Sequence, residues 1–471
     1  MSTPDKAGLV VLGAGPGGYA AAFRAADLGV DVTLVDPEPE PGGVCLFRGC
    51  IPSKALLHQA ALIEEAKDAA ERGVAFAPPA IDVARLRGWK DGVVRTLTGG
   101  LGKLAQSRGV KRLRGRGTFL DGSTLEITPV SGERTRLRFE HCIVATGSRP
   151  AWLPILDTES PLVMNSSEAL DLPDVPPRLL VVGGGYIGLE LASVYAALGS
   201  RVTLVEMTPT LLPGVDRDLV RVLVKRLEPR LEAVLLETKV TKVRLAETEC
   251  QVTLEGKVDR PERTFDRLLV ATGRKPNSSG LGLRHTKVRI DEKGFIEVDA
   301  QRRTAEPHVF AIGDVAGEPM LAHKATHEGL TAAAAVAGRH AAFEPQAIPA
   351  VVFTDPELAW CGLTEEQAKR DGRPVSVARF PWAASGRALT LARPDGLTKL
   401  VVDPETKRLL GVAIVGHGAG DLIAEAVLAI EMGATAEDLA LSVHPHPTLS
   451  ETLMEAADAV FGLSVHVHKR R

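Results

Sequence analysis

The sequence predicts an α/β fold built on two Rossmann-like dinucleotide-binding domains, and two internal echoes carry that reading. L-V-V-L-G-A-G-P-G-G-Y-A-A-A, starting at Leu9, is an apolar strand, a G-x-G-x-x-G turn at Gly13, Gly15 and Gly18, and an Ala-rich helix. L-L-V-V-G-G-G-Y-I-G-L-E-L-A repeats the unit with Gly183, Gly185 and Gly188. The second echo is an apolar strand closing on A-T-G, once at Gly147 and once at Gly273. One such glycine pattern alone is weak, because any glycine-containing turn can match it; two echoes in one chain are far more specific.

Each glycine in the unit has a physical task. The first permits the tight turn, the second lets backbone approach a pyrophosphate, and the third lets the helix pack on its strand. The helix N-terminus then faces the phosphates. The following strand ends on an acid that can hold a ribose diol: Asp36 in one unit, Glu206 in the other, each 23 residues after its first glycine. Glu206 would repel a 2′-phosphate, which favours NAD over NADP at the second site. Arg201 sits at the start of that strand, the wrong end to offset the repulsion.

The first unit runs on into G-G-V-C-L-F-R-G-C-I-P-S-K, residues 42–54, with Cys45 and Cys50 five positions apart in a chain of only five cysteines. Zinc sites use shorter cysteine spacings with a second ligand pair, and secreted disulfide frameworks need many more cysteines. A redox pair is the third possibility, and the rest of the chain must decide. On a regular helix, residues i and i+5 lie about 8 to 9 Å apart, from the rise and radius. A disulfide tolerates at most about 7 Å between Cα atoms. Either the two do not pair, or the helix is interrupted between them, and Gly49 supplies the freedom for an interruption. Pro52 suits an early helical turn, which places Cys50 near a helix start, where a thiol's pKa falls. The ligand of the first unit must therefore exchange electrons with sulfur. Flavin does so and nicotinamide normally transfers hydride, which assigns FAD to the first site and NAD to the second.

Bulk composition excludes other classes. The 471 residues are 45% hydrophobic and 24% charged with a net charge of −3, which gives no electrostatic reason to expect nucleic acid or a membrane surface. Aromatics at 4% argue against a base-stacking platform. The N-terminus shows no leader pattern and no stretch reads as a membrane span, so a reducing cytoplasm is the expected setting. Cys142, Cys250 and Cys361 stand singly in apolar or strand-like segments and read as small buried hydrophobes. The basic run K-R-L-R-G-R at 111–116 reads as a solvated strand, and no metal site is expected.

Near the C-terminus, S-V-H-P-H-P-T-L-S-E-T holds His444, His446 and Glu451. A thiol substrate needs a base with a pKa near 7, which histidine supplies, and a carboxylate can orient the ring. A rigid loop ahead of a Ser- or Thr-capped helix is the other reading of the same residues. His466 and His468 alternate with valine and read as an edge strand.

Taken together, these segments resemble the pyridine nucleotide–disulfide oxidoreductases of class I, over nearly the whole chain and in the family's order. G-G-V-C-L-F-R-G-C-I-P-S-K-A-L-L resembles the redox-disulfide motif, A-I-G-D at 311–314 the flavin-closing motif, V-F-T-D-P-E-L-A-W-C-G the start of a C-terminal α+β dimerisation domain, and H-P-H-P-T-L-S-E the catalytic histidine motif. The resemblance implies that Cys45 attacks the substrate sulfur and Cys50 lies as thiolate against the flavin. It also implies that Lys54 and Glu190 pair beside flavin N5. Asp314 would face the ribitol, Gly117 the adenine half, Ala322 the pyrimidine ring and Val240 the adenine side of NAD. His446 and Glu451 would reach the disulfide from the other subunit of a homodimer whose active site is shared.

The implied activity is oxidation of dihydrolipoamide carried on lipoyl domains of an acyltransferase or of a glycine-cleavage carrier protein, with no nucleic acid or membrane partner. The implied domains are an FAD-binding domain at 1–150, an NAD-binding domain at 151–277, a central return to the FAD domain at 278–346 and an interface domain at 347–471. Two departures stand out. Phe47-Arg48 replaces the usual Asn-Val inside the redox motif, and Asp36 replaces the usual Glu. A glutathione-reducing member would be expected to favour NADPH and to carry Lys at position 53; Glu206 and Ser53 speak against it. A mercuric-ion-reducing member would carry a cysteine pair after Cys361. A non-catalytic flavoprotein scaffold would need neither the thiols nor the base.

Overall fold

The computed structural model describes residues 5–153, 155–156 and 160–467. Asp5–Leu12 lies between Val32–Asp36 and Thr135–Val144, parallel to both. The other edge of Thr135–Val144 takes Thr124–Pro129 antiparallel along its first half and Val309–Ala311 parallel along its second. Lys111–Asp121 starts parallel to Val32–Asp36 and continues antiparallel to Thr124–Pro129. Side chains alternate across this sheet. Leu9 and Val11 point to the layer containing the helices Pro16–Asp27 and Ala322–Val336, while Val10 and Leu12 meet Phe119, Leu125 and Phe139 on the other face. The basic run forms the start of Lys111–Asp121, where Lys111 pairs with Asp31 and Arg112 with Glu40.

The second unit repeats the plan. Five parallel strands stand in the order Ala233–Leu235, Arg201–Val205, Arg178–Val182, Arg267–Val270, Val163–Asn165. An antiparallel meander, Thr238–Leu245, Cys250–Gly256 and Glu262–Phe265, comes next, as it does in the first unit. The third unit is α+β: a five-stranded antiparallel sheet from Ala350–Val352 to Leu409–Gly416, packed by Ala419–Glu431 and Glu451–Phe461.

Contacts join the units at several places. Ser148–Pro150 and Arg274–Pro276, the segments just past the two A-T-G echoes, pair with each other as a two-stranded antiparallel ribbon. Fully buried Lys399 of the third unit meets Asp216, Asp218 and Glu365 at 2.8, 2.6 and 3.0 Å. These three carboxylates have the mutual spacing of metal ligands, and the ammonium occupies their centre. An unpaired lysine there would be costly, so breaking this cluster is destabilising.

Cys142, Cys250 and Cys361 lie buried on strands, at 0%, 0% and 1% exposure. The expected terminal edge strand is corrected among the described residues: 463–467 form no strand, and His466 instead pairs with Glu455 of the preceding helix at 2.5 Å. An unpartnered alternating segment has no ladder to join, so the local ion pair decides its path. His468 lies outside the described residues. No described helix is long and apolar enough to cross a membrane.

Candidate active site

The two glycine turns superpose in their local chemistry. Gly13 and Gly183 have φ of 104° and 113°, and a Cβ at either would strike a carbonyl, that of Ala145 at 2.3 Å or of Ala271 at 2.4 Å. A Cβ at Gly18 or Gly188 would lie 1.9 or 2.0 Å from the carbonyl of its own first glycine, which is how closely helix and strand approach. At Gly15 an added Cβ would meet only Gly43 Cα, at 3.9 Å, and at Gly185 nothing within 4 Å. Gly147 and Gly273 are likewise open. Both turns therefore leave room for a diphosphate at a helix N-terminus.

The acids match as well. Asp36 accepts from Ala14 N at 2.7 Å and Glu38 N at 2.9 Å; Glu206 accepts from Gly184 N at 2.7 Å and Thr208 N at 2.8 Å. Burial raises the Asp36 carboxyl above its ordinary range despite those two amides. A cavity of about 180 Å³ lies beside Asp36, between Ala14, Leu34, Glu38 and Arg114, where an adenosine half would fit.

Cys45 lies in the short helix Gly43–Arg48 and Cys50 opens Cys50–Asp68; Gly49 breaks the helix between them. A Cβ at Gly49 would lie 2.9 Å from Val44 O and 3.3 Å from Cys45 Cα, so the break depends on having no side chain there. Both cysteines are free thiols in the structure. Donating a hydrogen bond to Cys50 pushes the Cys45 thiol far up, and burial adds to it. Accepting that bond, with the Lys54 charge as a smaller aid, brings Cys50 down to about 7 against the opposing effect of burial. Cys50, one turn from Lys54 on the same helix, is thus the more acidic thiol of the pair.

One turn along the helix, Lys54 Nζ meets Glu190 Oε2 at 2.8 Å. Glu190 belongs to the glycine-turn helix of the second unit and is 5% exposed, against 33% for Lys54. Its other oxygen accepts from Phe353 N at 3.1 Å, and the Phe353 ring centroid lies 4.4 Å from Lys54 Nζ. The three units therefore meet at this pair.

Asp314 sits in the short 3₁₀ turn Gly313–Ala316 and accepts from Ser148 Oγ, which in turn accepts from Arg274 Nε at 2.7 Å. Ala322 starts the helix packed on Pro16–Asp27. Gly117 lies on Lys111–Asp121 within contact of Leu12, and Val240 is at a bulge in the second unit's meander. His446 is different. Its ring is 77% exposed, and Nδ1 lies 2.9 Å from Glu451 Oε1. Burial would raise the Glu451 carboxyl, but the Thr448 amide and His446 hold it below the usual range.

Comparison with known proteins decides the family. The pyridine nucleotide-disulphide oxidoreductase description matches residues 7–329, and the dimerisation domain of the same family matches 348–457. The chain belongs to this family. A dihydrolipoyl dehydrogenase of Vibrio cholerae is 49% identical over 463 residues, covering 98% of this chain and 97% of its own. One of Thermus scotoductus is 48% identical over the full length of both. Among solved structures, LpdA of Mycobacterium tuberculosis gives a TM-score of 0.88 at 26% identity, covering 96% of this chain and 99% of its own. As a pyridine nucleotide-disulphide oxidoreductase, the chain uses FAD and NAD(H), and the open turns described above fit both. Its dimerisation domain supports a homodimer.

Three parts of the site were not visible in the sequence. The Ser148–Arg274 contact joins residues 126 apart, and its only local sign was that both come just after an A-T-G. Phe353 stood inside a motif with no apparent tie to the thiols. Arg48, one of the two departures, forms an ion pair with Glu38, two residues past Asp36, and so ties the redox helix to the ribose-acid loop.

Proposed function

We propose that this chain is a dihydrolipoyl dehydrogenase that oxidises protein-bound dihydrolipoamide to lipoamide through Cys45 and Cys50 and reduces NAD⁺. It would serve 2-oxo acid dehydrogenase or glycine cleavage complexes in the cytoplasm. The observation that carries this reading is the thiol pair at the helix break, its thiolate backed by Lys54–Glu190 and set between two open dinucleotide turns. The names of relatives matched end to end support it. The reading takes 1–150 with 278–346 as the FAD domain, 151–277 as the NAD domain and 347–471 as the interface domain.

The cycle starts with the Cys45–Cys50 disulfide. His446 of one subunit, oriented by Glu451, takes a proton from a substrate thiol at the other subunit's pair. That thiolate attacks Cys45 and forms a mixed disulfide, and Cys50 leaves as thiolate. The second substrate thiol then expels Cys45, which takes up the proton. The products are lipoamide and two reduced cysteines, so one pair of electrons has moved to the protein. FAD, when bound, would supply the acceptor through which this pair passes on to NAD⁺ as hydride, with the Cys45–Cys50 disulfide re-formed and one proton released. Gly13, Gly15, Gly18, Asp36, Gly117, Gly147, Asp314 and Ala322 would hold FAD; Gly183, Gly185, Gly188, Glu206, Val240 and Gly273 would hold NAD.

The test is turnover of the purified holoenzyme with NAD⁺ or NADP⁺ and with dihydrolipoamide or glutathione. NAD⁺ with dihydrolipoamide is the expected pair. Faster reduction of glutathione disulfide by NADPH would overturn the assignment.

A further inference from the structure

One residue of the third unit meets the Lys54–Glu190 pair and has no part in the proposed cycle. Phe353 comes directly after the strand Ala350–Val352 and makes two separate contacts with the Lys54–Glu190 pair. Its amide donates to Glu190 Oε1 at 3.1 Å, and its ring lies against the Lys54 ammonium, 4.4 Å from Nζ to the centroid. A cation over a ring face is held by the ring quadrupole, and the ring excludes water that would screen the charge.

We propose that Phe353 is a positioning residue for the disulfide chemistry, its ring and amide fixing the Lys54–Glu190 pair so that the lysine charge stays directed at Cys50. The proposal rests on Cys50 being the flavin-facing thiolate. The groups that face Cys50 are Cys45 from the short helix, Lys54 from its own helix and Glu190 from the second unit's helix. Tyr19 and Tyr186, from the two glycine-turn helices, also sense its charge. Lys54 is the cation that acts most strongly on Cys50. If it turns away, Glu190 is left facing the thiolate without its counter-charge, and the Cys50 titration moves to higher pH. The third unit, which carries the dimerisation domain, would thereby set the electrostatics of the thiols in its own chain.

The experiment tracks the long-wavelength absorbance of the Cys50 thiolate against flavin in the two-electron-reduced holoenzyme, as a function of pH. The proteins are the parent, Phe353→Leu and Phe353→Tyr. Phe353→Leu keeps the amide and an apolar side chain but removes the ring. Its midpoint is expected to rise by about half a unit, roughly a threefold loss of thiolate below the midpoint. Phe353→Tyr is expected to restore the parent value, which a role in packing volume alone would not require. If Phe353→Leu loses flavin on purification, Phe353→Met carries the same comparison. A parent band with an unchanged midpoint in the ring-less protein would overturn the positioning role alone. A parent without the band would overturn the functional reading, and this proposal with it.

Discussion

In both dinucleotide units the acid at the end of the second strand binds backbone in the same way. Asp36 takes the amides of Ala14 and Glu38, and Glu206 takes those of Gly184 and Thr208. Beyond the acid the two units differ. In the first unit the chain turns through Gly42 and Gly43 into the thiol helices, and a Cβ on Gly43 would lie 2.5 Å from Gly15 Cα. The redox segment therefore rests on the first phosphate turn. Nothing lies that close to Gly185 in the second unit. The scaffold supplies binding twice, and one diversion of the chain supplies the chemistry once.

The largest effect should come from that diversion. Cys45→Ser or Cys50→Ser is expected to lower dihydrolipoamide oxidation by more than about a thousandfold, as loss of a covalent nucleophile does. FAD content and NAD⁺ binding should survive, measured by absorbance and by equilibrium titration. Full activity in either variant would remove the distinction between the units. His446→Gln should cost about a hundredfold or more in kcat. Mixing inactive Cys45→Ser and His446→Gln subunits should restore part of the rate, if the base acts across a dimer.

The glycine turns sharpen the comparison next. Gly18→Ala and Gly188→Ala each force helix from strand and should cost about 2 to 3 kcal/mol in thermal or denaturant unfolding. Gly18→Ala should also shed flavin, whereas Gly188→Ala should keep it and raise KM for NAD⁺. Equal flavin loss from both would contradict the assignment of sites. Glu206→Gln should raise KM for NAD⁺ about tenfold, the scale of one buried hydrogen bond to a charged group.

The smallest effect is a titration. Cys50 is lowered to about 7, so its thiolate is present above that pH and is protonated as pH falls through it. The reduced holoenzyme's long-wavelength absorbance should halve near pH 7 and return on raising the pH. Loss only near the ordinary thiol value would show that neither Cys45 nor Lys54 tunes this sulfur.

Much of the fold class was legible because its signals are local. Glycines at fixed offsets, an acid 23 residues on and alternating apolar strands all act within one supersecondary unit. The interruption between Cys45 and Cys50 was legible too, because helix geometry and disulfide reach conflict at that spacing, and Gly49 is where the helix breaks. The terminal segment around His466 defeats a strand reading, because alternation describes one strand's side chains and says nothing of a neighbour to pair with. The basic run at 111–116 reads correctly as a strand, but its pairing with Asp31 and Glu40 depends on which strand lies beside it.

By itself the sequence determined two dinucleotide turns, a sulfur pair at a helix break and a histidine loop with its acid, since each is set by backbone geometry over a few consecutive residues. Only the tertiary structure decided that the two A-T-G ends pair with each other and that Phe353 closes over Lys54 and Glu190 from the third unit, a pair the sequence reached only through its family resemblance. Those contacts join residues more than a hundred positions apart. Their energy comes from burying charge against a specific partner, and no local pattern records which partner the packing will bring.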